Sequence, residues 1–119
     1  IRGIGDKGLS VGENSNVDAS ELKLADLSVA VAIKDGSSLS LSNSEIHSAE
    51  YAALMAYTKK KSYGGARADL NNVNIINTNV HALSDLDSIV YINKNQIKNK
   101  DLQVEELYET IMKKSTAMQ

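Results

Sequence analysis

Four charged residues recur along the chain at intervals that could bring them together as one surface column. They are Glu13, Asp35, Lys59 and Asp85, and the interval grows slightly from each residue to the next. In stacked strands about 4.8 Å apart, the lysine would lie between the two aspartates. The simplest interpretation is an exposed column of charges that fixes strand register, with each pair contributing about 0–1 kcal/mol.

The same column also permits a chemical interpretation, in which it acts on a uronate-containing polysaccharide. A lyase or epimerase of that kind needs carboxylates that hold a cation, here Glu13 and Asp35, and a base, here Lys59 or Lys60. Two carboxylates fall short of the roughly six to eight oxygens that Ca²⁺ takes. An exposed lysine is protonated at neutral pH and makes a poor base. The sequence therefore predicts no catalytic residue, no metal site and no cofactor, and the enzyme remains an alternative.

Aromatic and basic side chains offer a second kind of contact, with sugars. Lys60 carries ammonium donors and Tyr63 an amphipathic ring, so both are candidate glycan-contacting residues. Tyr57 and Tyr91 could extend a stacking platform, although tyrosines more often pack with only the hydroxyl at the surface. The two histidines, His47 and His81, have no third ligand at metal-binding spacing, so no zinc site is expected.

The strands that would position these residues are predicted from alternating apolar and polar residues. Leu39 and Leu41 alternate with Ser40 and Ser42, which places the leucines on one face of a strand. Asp35-Gly36 before them is a turn signal, since glycine accepts positive φ and aspartate can bond its own backbone. Apolar residues recur at one constant offset, with Val11, Val17, Ala19 and Leu24 preceding Ile33, Leu39, Leu41 and Ile46.

Later matches at slightly longer offsets continue the pattern and predict a solenoid. Tyr57 corresponds to Ile33, Leu83 corresponds to Tyr57, and Ile97 corresponds to Ile46 two coils later. Repeats of this length predict a parallel β-helix of about four coils over residues 1–100. Five asparagines between residues 71 and 79 suit its corners, because asparagine tolerates left-handed backbone and can stack in ladders.

The last segment, residues 101–119, is predicted to be an amphipathic helix and a tail. Asp101 suits an N-cap, and lysines near residue 114 suit the C-terminal dipole. We expect this helix to cover the open end of the last coil, where bare strand edges would invite pairing. Its apolar residues follow helical spacing and are Leu102, Val104, Leu107, Tyr108, Ile111 and Met112.

The amino-acid composition argues against several kinds of site and partner. With no Cys, the chain has neither disulfides nor thiolate metal sites. A net charge of −2 gives no basic excess for nucleic acid. No apolar run approaches membrane-spanning length. The absence of Pro, Phe and Trp fits a narrow interior of Val, Ile, Leu and Ala. Because the chain begins at Ile1 rather than Met, we expect an N-terminal part to be missing.

Four motifs, in this order, carry a family resemblance: residues 5–13, 33–37, 56–60 and 63–66. Together they resemble the right-handed parallel β-helix repeat region of bacterial surface or secreted proteins, including those with a CotH-type kinase-like domain. The kinase-like part has no counterpart here, so no nucleotide chemistry carries over. Gly65 stands where the Tyr-Gly-Pro-Ala form has proline, which predicts a looser loop.

The resemblance implies a non-catalytic structural or glycan-contacting module of a larger extracellular protein. Polysaccharide is then the expected partner, and neither nucleic acid nor a membrane span is expected. A third interpretation is self-assembly, in which the open N-terminal rung at residues 1–12 pairs with another copy as a homo-oligomer.

Overall fold

Ten β-strands and one 3-10 helix (Lys61–Tyr63) form residues 7–102, the part of the chain that the computed structural model describes. In chain order the strands are β1 (Lys7–Val11), β2 (Asn16–Ser20), β3 (Lys23–Ala25), β4 (Val29–Lys34), β5 (Ser38–His47), β6 (Ala52–Tyr57), β7 (Arg67–Ile76), β8 (Ala82–Ser84), β9 (Ile89–Ile92) and β10 (Asn95–Gln96).

The strands form two sheets. The first has four parallel strands in the order β1-β4-β6-β8. The second has the order β10-β9-β7-β5-β2, with β3 also paired to β5, and it is mixed because β9 and β10 run antiparallel. Along most of its length the chain alternates between the two sheets, so most paired strands are separated in sequence by at least one strand of the other sheet. Residues far apart in sequence therefore lie on the same face.

The main core lies where the two sheets face each other. Leu39 and Leu41 are buried and Ser40 is exposed, as the alternation predicts. By contrast, β4 and β6 are continuous apolar runs with both faces buried. Their outer faces form a second cluster, against which Leu102 packs: Val29, Ala32, Ala52, Met55 and Tyr57. The two central strands of the first sheet are thus buried on both faces, whereas β2, β5 and β7 of the second sheet carry exposed residues on their outer face.

The predicted offset between the first two coils is confirmed as a strand register. Val11 pairs with Ile33, and Leu24 pairs with Ile46. The next two offsets are wrong, because Ile33 pairs with Ala56 rather than Tyr57, and Leu83 pairs with Met55 rather than Tyr57. The loop between β6 and β7 lengthens the repeat from β5 to β7, where Ile46 pairs with Ile75, so counting residues at a constant offset loses the register.

Some asparagines occupy bends, as predicted, whereas Asn71 and Asn74 lie at regular positions of β7. Asn43 and Asn72 have left-handed φ values of 50° and 55° inside β5 and β7. The side-chain nitrogen of Asn72 donates to the side-chain oxygen of Asn43 at 2.7 Å, which stacks the two bends. Because asparagine accepts this backbone conformation at little steric cost, both strands turn without losing their pairing on either side.

The predicted fold class, a right-handed parallel β-helix solenoid of about four coils with a C-terminal capping α-helix, is wrong. The molecule is a small two-sheet domain of 33 × 32 × 23 Å with no long axis, and one of its sheets is mixed. The mixed sheet arises from a turn that the periodicity does not reveal. Asn93 and Lys94 both have positive φ, which suits a two-residue hairpin turn, so β10 returns antiparallel along β9.

The predicted C-terminal helix lies almost wholly outside the described residues, which end at Leu102. Asp101 and Leu102 themselves have no regular secondary structure. Among residues 7–102 the only helical element is the three-residue 3-10 turn, and nothing helical there has the length or hydropathy to cross a membrane.

Candidate functional site

Asp35, the centre of the predicted charge column, lies inside the protein rather than on its surface. Its side chain is 0% exposed, and its Oδ1 accepts hydrogen bonds from the backbone N–H groups of Lys59 and Lys60, both at 2.7 Å. Among the described residues, its Oδ2 is buried without a hydrogen-bond partner. The carboxylate therefore fixes the start of the loop between β6 and β7 and is not presented to a ligand in solvent.

Asp85, at the other end of the predicted column, is also buried and has the same kind of role. Its Oδ2 accepts from the backbone N–H of Thr58 at 2.6 Å, and its Oδ1 accepts from the hydroxyl of Ser88 at 2.6 Å. Asp35 and Asp85 thus hold consecutive backbone amides of one loop. Two carboxylates of the predicted column therefore face backbone amides rather than solvent.

The surface part of this corner is an ion pair between Glu13 and Lys60. Lys60 Nζ lies 2.6 Å from Glu13 Oε1, and the two side chains are 53% and 45% exposed. The hydrogen bond and the charge of Glu13 raise the pKa of Lys60 above its usual value. Lys59 is also exposed, so both lysines considered as bases lie at the surface. The ion pair of Glu13 is with Lys60.

We expect Glu13→Gln to lower the pKa of Lys60 toward 10.5, the usual value for lysine. A raised lysine pKa means that the pair stabilises the fold below pH 10.5 and loses this effect as the pH rises through the folded-state pKa. The measurement is an NMR titration of the Lys60 side chain in the unmodified chain and in the variant. An unchanged Lys60 titration in the variant would contradict the pair.

The loop that carries Lys60 and Tyr63 is tightly closed. The N–H of Gly36 donates to the carbonyls of both Gly64 and Gly65 at 3.1 Å. A Cβ added at Gly65 would lie 1.7 Å from the carbonyl oxygen of Asp87. The looser loop expected from glycine in place of proline is therefore wrong: the loop is packed against its neighbour, and glycine is required for that contact.

Tyr63, 38% exposed, stands at the end of the 3-10 helix, where its ring is available at the surface. Tyr57 is fully buried and cannot be part of a stacking platform. His47 Nε2 lies 3.8 Å from Glu45 Oε2, and His81 is exposed elsewhere. Within residues 7–102 no cluster of three or more His, Asp or Glu side chains is arranged to hold a metal ion.

A shallow polar groove lies on the outer face of the second sheet. It has a volume of about 220 Å³. The strand registers align its polar residues in two rows across β2, β5 and β7. The first row is Asn16, Ser38 and Arg67, and the second is Asp18, Ser40 and Asp69. Val17 and Leu39 form part of its lining between the rows.

Arg67 is held at one end of the groove. Its Nε lies 3.0 Å from Asp69 Oδ2, and its guanidinium carbon lies 5.5 Å from the centre of the Tyr91 ring. The hydrogen bond to Asp69 and the negative charge of that carboxylate both raise the pKa of Arg67. At the other end, the hydroxyl of Ser38 donates to Asn16 Oδ1. These contacts orient donors and acceptors before any ligand arrives.

Sequence reasoning did not identify this groove, although one signal for it was present. The outward positions on β5 were predicted from Ser40, and Asp18 precedes Ser40 by the same offset that separates Val11 from Ile33. Asp69 pairs with Ser40 at a longer offset, however, and this register depends on the loop between β6 and β7. None of the predicted site residues lines the groove.

Comparisons with protein-family models, curated proteins and solved structures found no match. The family resemblance therefore rests on the sequence motifs alone.

Proposed function

We propose that this chain is a non-catalytic glycan-contacting domain and that the groove across β2, β5 and β7 is its contact surface. The observation that carries the proposal is the pair of polar rows on a sheet. Asp, Asn, Ser and Arg side chains supply both donors and acceptors, which is what vicinal sugar hydroxyls require. Strand spacing of about 4.8 Å sets the step between successive contacts, close to the length of one sugar in an extended chain.

The burial of Asp35 supports a binding role over an enzymatic one. The lyase interpretation requires Asp35 and Glu13 to hold a cation beside a lysine base. Asp35 is fully buried, with one oxygen on two backbone amides, and Glu13 is paired with Lys60. The carboxylates named for catalysis are thus engaged in holding a loop. The motif resemblance supports placing the domain in a bacterial surface or secreted protein.

A glycan array with the intact chain tests the proposal, together with a variant that fills the groove. Ser40 is exposed at the centre of the groove, so Ser40→Trp should occupy the space without disturbing the core. We expect this variant to lose binding at least tenfold, as roughly one or more kcal/mol of contact is removed. Asn74→Trp, on an exposed position of β7 outside the groove, is the matched control and should bind like the unmodified chain.

Two results would contradict the proposal. One is the absence of binding to any oligosaccharide on the array. The other is binding that survives Ser40→Trp but is lost in Lys60→Ala or Tyr63→Ala, which would move the contact to the loop between β6 and β7.

A further inference from the structure

The charges in the groove are unequal. Among residues 7–102, its lining contains one cation, Arg67, and two carboxylates, Asp18 and Asp69. Arg67 and Asp69 form an ion pair at 3.0 Å, so their charges largely offset each other. Asp18 is exposed on β2, two strands away from Arg67. The groove therefore has a net negative charge, located at its β2 end.

This distribution discriminates between sugars by charge. A uronate would bring its carboxylate toward two carboxylates, and Arg67, the one cation that the described residues give the lining, is already bonded to one of them. A protonated amino sugar would instead donate hydrogen bonds from its ammonium group to the acceptor oxygens of Asp18. Hydroxyls of neutral sugars fit the remaining Asn and Ser side chains without charge.

We infer that the groove takes an amino-sugar oligosaccharide, with one ammonium group bound at Asp18, and that it disfavours uronates. This inference rests on the proposed function, since it names the class of glycan for the same groove. It also changes the expected ligand, because the sequence analysis considered uronate polymers and the charges in the groove oppose them.

The test compares short oligosaccharides of glucosamine, glucose and glucuronate, matched in length and linkage, by calorimetric titration at mildly acidic pH, where the amines are protonated. We expect affinity to fall in that order, with about a tenfold difference between the first and the last from their opposite charges near Asp18. The difference should shrink as salt is added. Asp18→Asn should abolish the preference, and Glu50→Gln, the same charge change outside the groove, should keep it.

The outcomes separate the inference from the proposed function. Glucuronate binding as tightly as glucosamine, or a preference that persists in Asp18→Asn, would overturn the inference and leave a glycan-contacting groove. Binding of none of the three would overturn both.

Discussion

Gly65→Ala is expected to lower the free energy of unfolding by about 3 kcal/mol, near the upper end for overpacking. The added Cβ would lie 1.7 Å from the carbonyl oxygen of Asp87 and 2.3 Å from its carbonyl carbon. Backbone on both sides must move to relieve this overlap, because no flexible side chain can give way. Urea denaturation measures the effect as a shift in midpoint at constant slope.

Gly12→Ala is the matched control for this substitution. The atom nearest to its added Cβ is Cε of Lys34, at 2.9 Å, near the end of a flexible side chain. We expect this change to cost less than about 1 kcal/mol, since the lysine can rotate away. Equal stability of the two variants would show that the loop between β6 and β7 is not packed against residues 85–88 as described.

Asp35→Ala is expected to cost a similar amount, about 3 kcal/mol, for a different reason. It removes the charged acceptor of the Lys59 and Lys60 backbone N–H groups and leaves both donors without their partner. It also places alanine at φ 53°, which costs about 1 kcal/mol because alanine, unlike glycine, asparagine or aspartate, rarely adopts the left-handed conformation. Urea denaturation gives the stability, and hydrogen exchange at the two amides reports whether the loop has opened.

Two further variants serve as controls for Asp35→Ala. Asp35→Asn keeps an acceptor at the same position, and Asp87→Ala removes an exposed aspartate. Asparagine tolerates the left-handed backbone and keeps an acceptor oxygen, so we expect a loss of only about 1 kcal/mol. Asp87 is exposed, and its replacement should stay within about 0.5 kcal/mol of the unmodified chain. The account of Asp35 fails if alanine there is no more costly than alanine at position 87.

Local alternation allowed part of the fold to be predicted. The burial of Leu39 and Leu41 follows from a period of two, and the pairing of Val11 with Ile33 follows from the offset between the first two coils. The hairpin at Asn93-Lys94 was missed because neither residue is glycine, although both adopt positive φ. Turn propensity alone does not show which pair of polar residues in the sequence forms the hairpin turn.

The candidate site was harder to predict, because it depends on the orientation of side chains at turns and on loop length. A carboxylate after a strand can face solvent or turn inward to cap loop amides. Asp35 turns inward because its left-handed backbone directs it under Lys59 and Lys60. Likewise, Asp69 joins Ser40 only through the longer register that the loop between β6 and β7 creates. The sequence contains each residue of the groove but not the loop geometry that aligns them.

Amide chemical-shift mapping with a neutral and an amino oligosaccharide tests the central claim most directly, because it locates the contact on the molecule. The account predicts the largest shifts in the two rows across β2, β5 and β7, around Asp18, Ser40 and Asp69. Largest shifts in the loop at residues 59–65, or no shifts with either sugar, would contradict it.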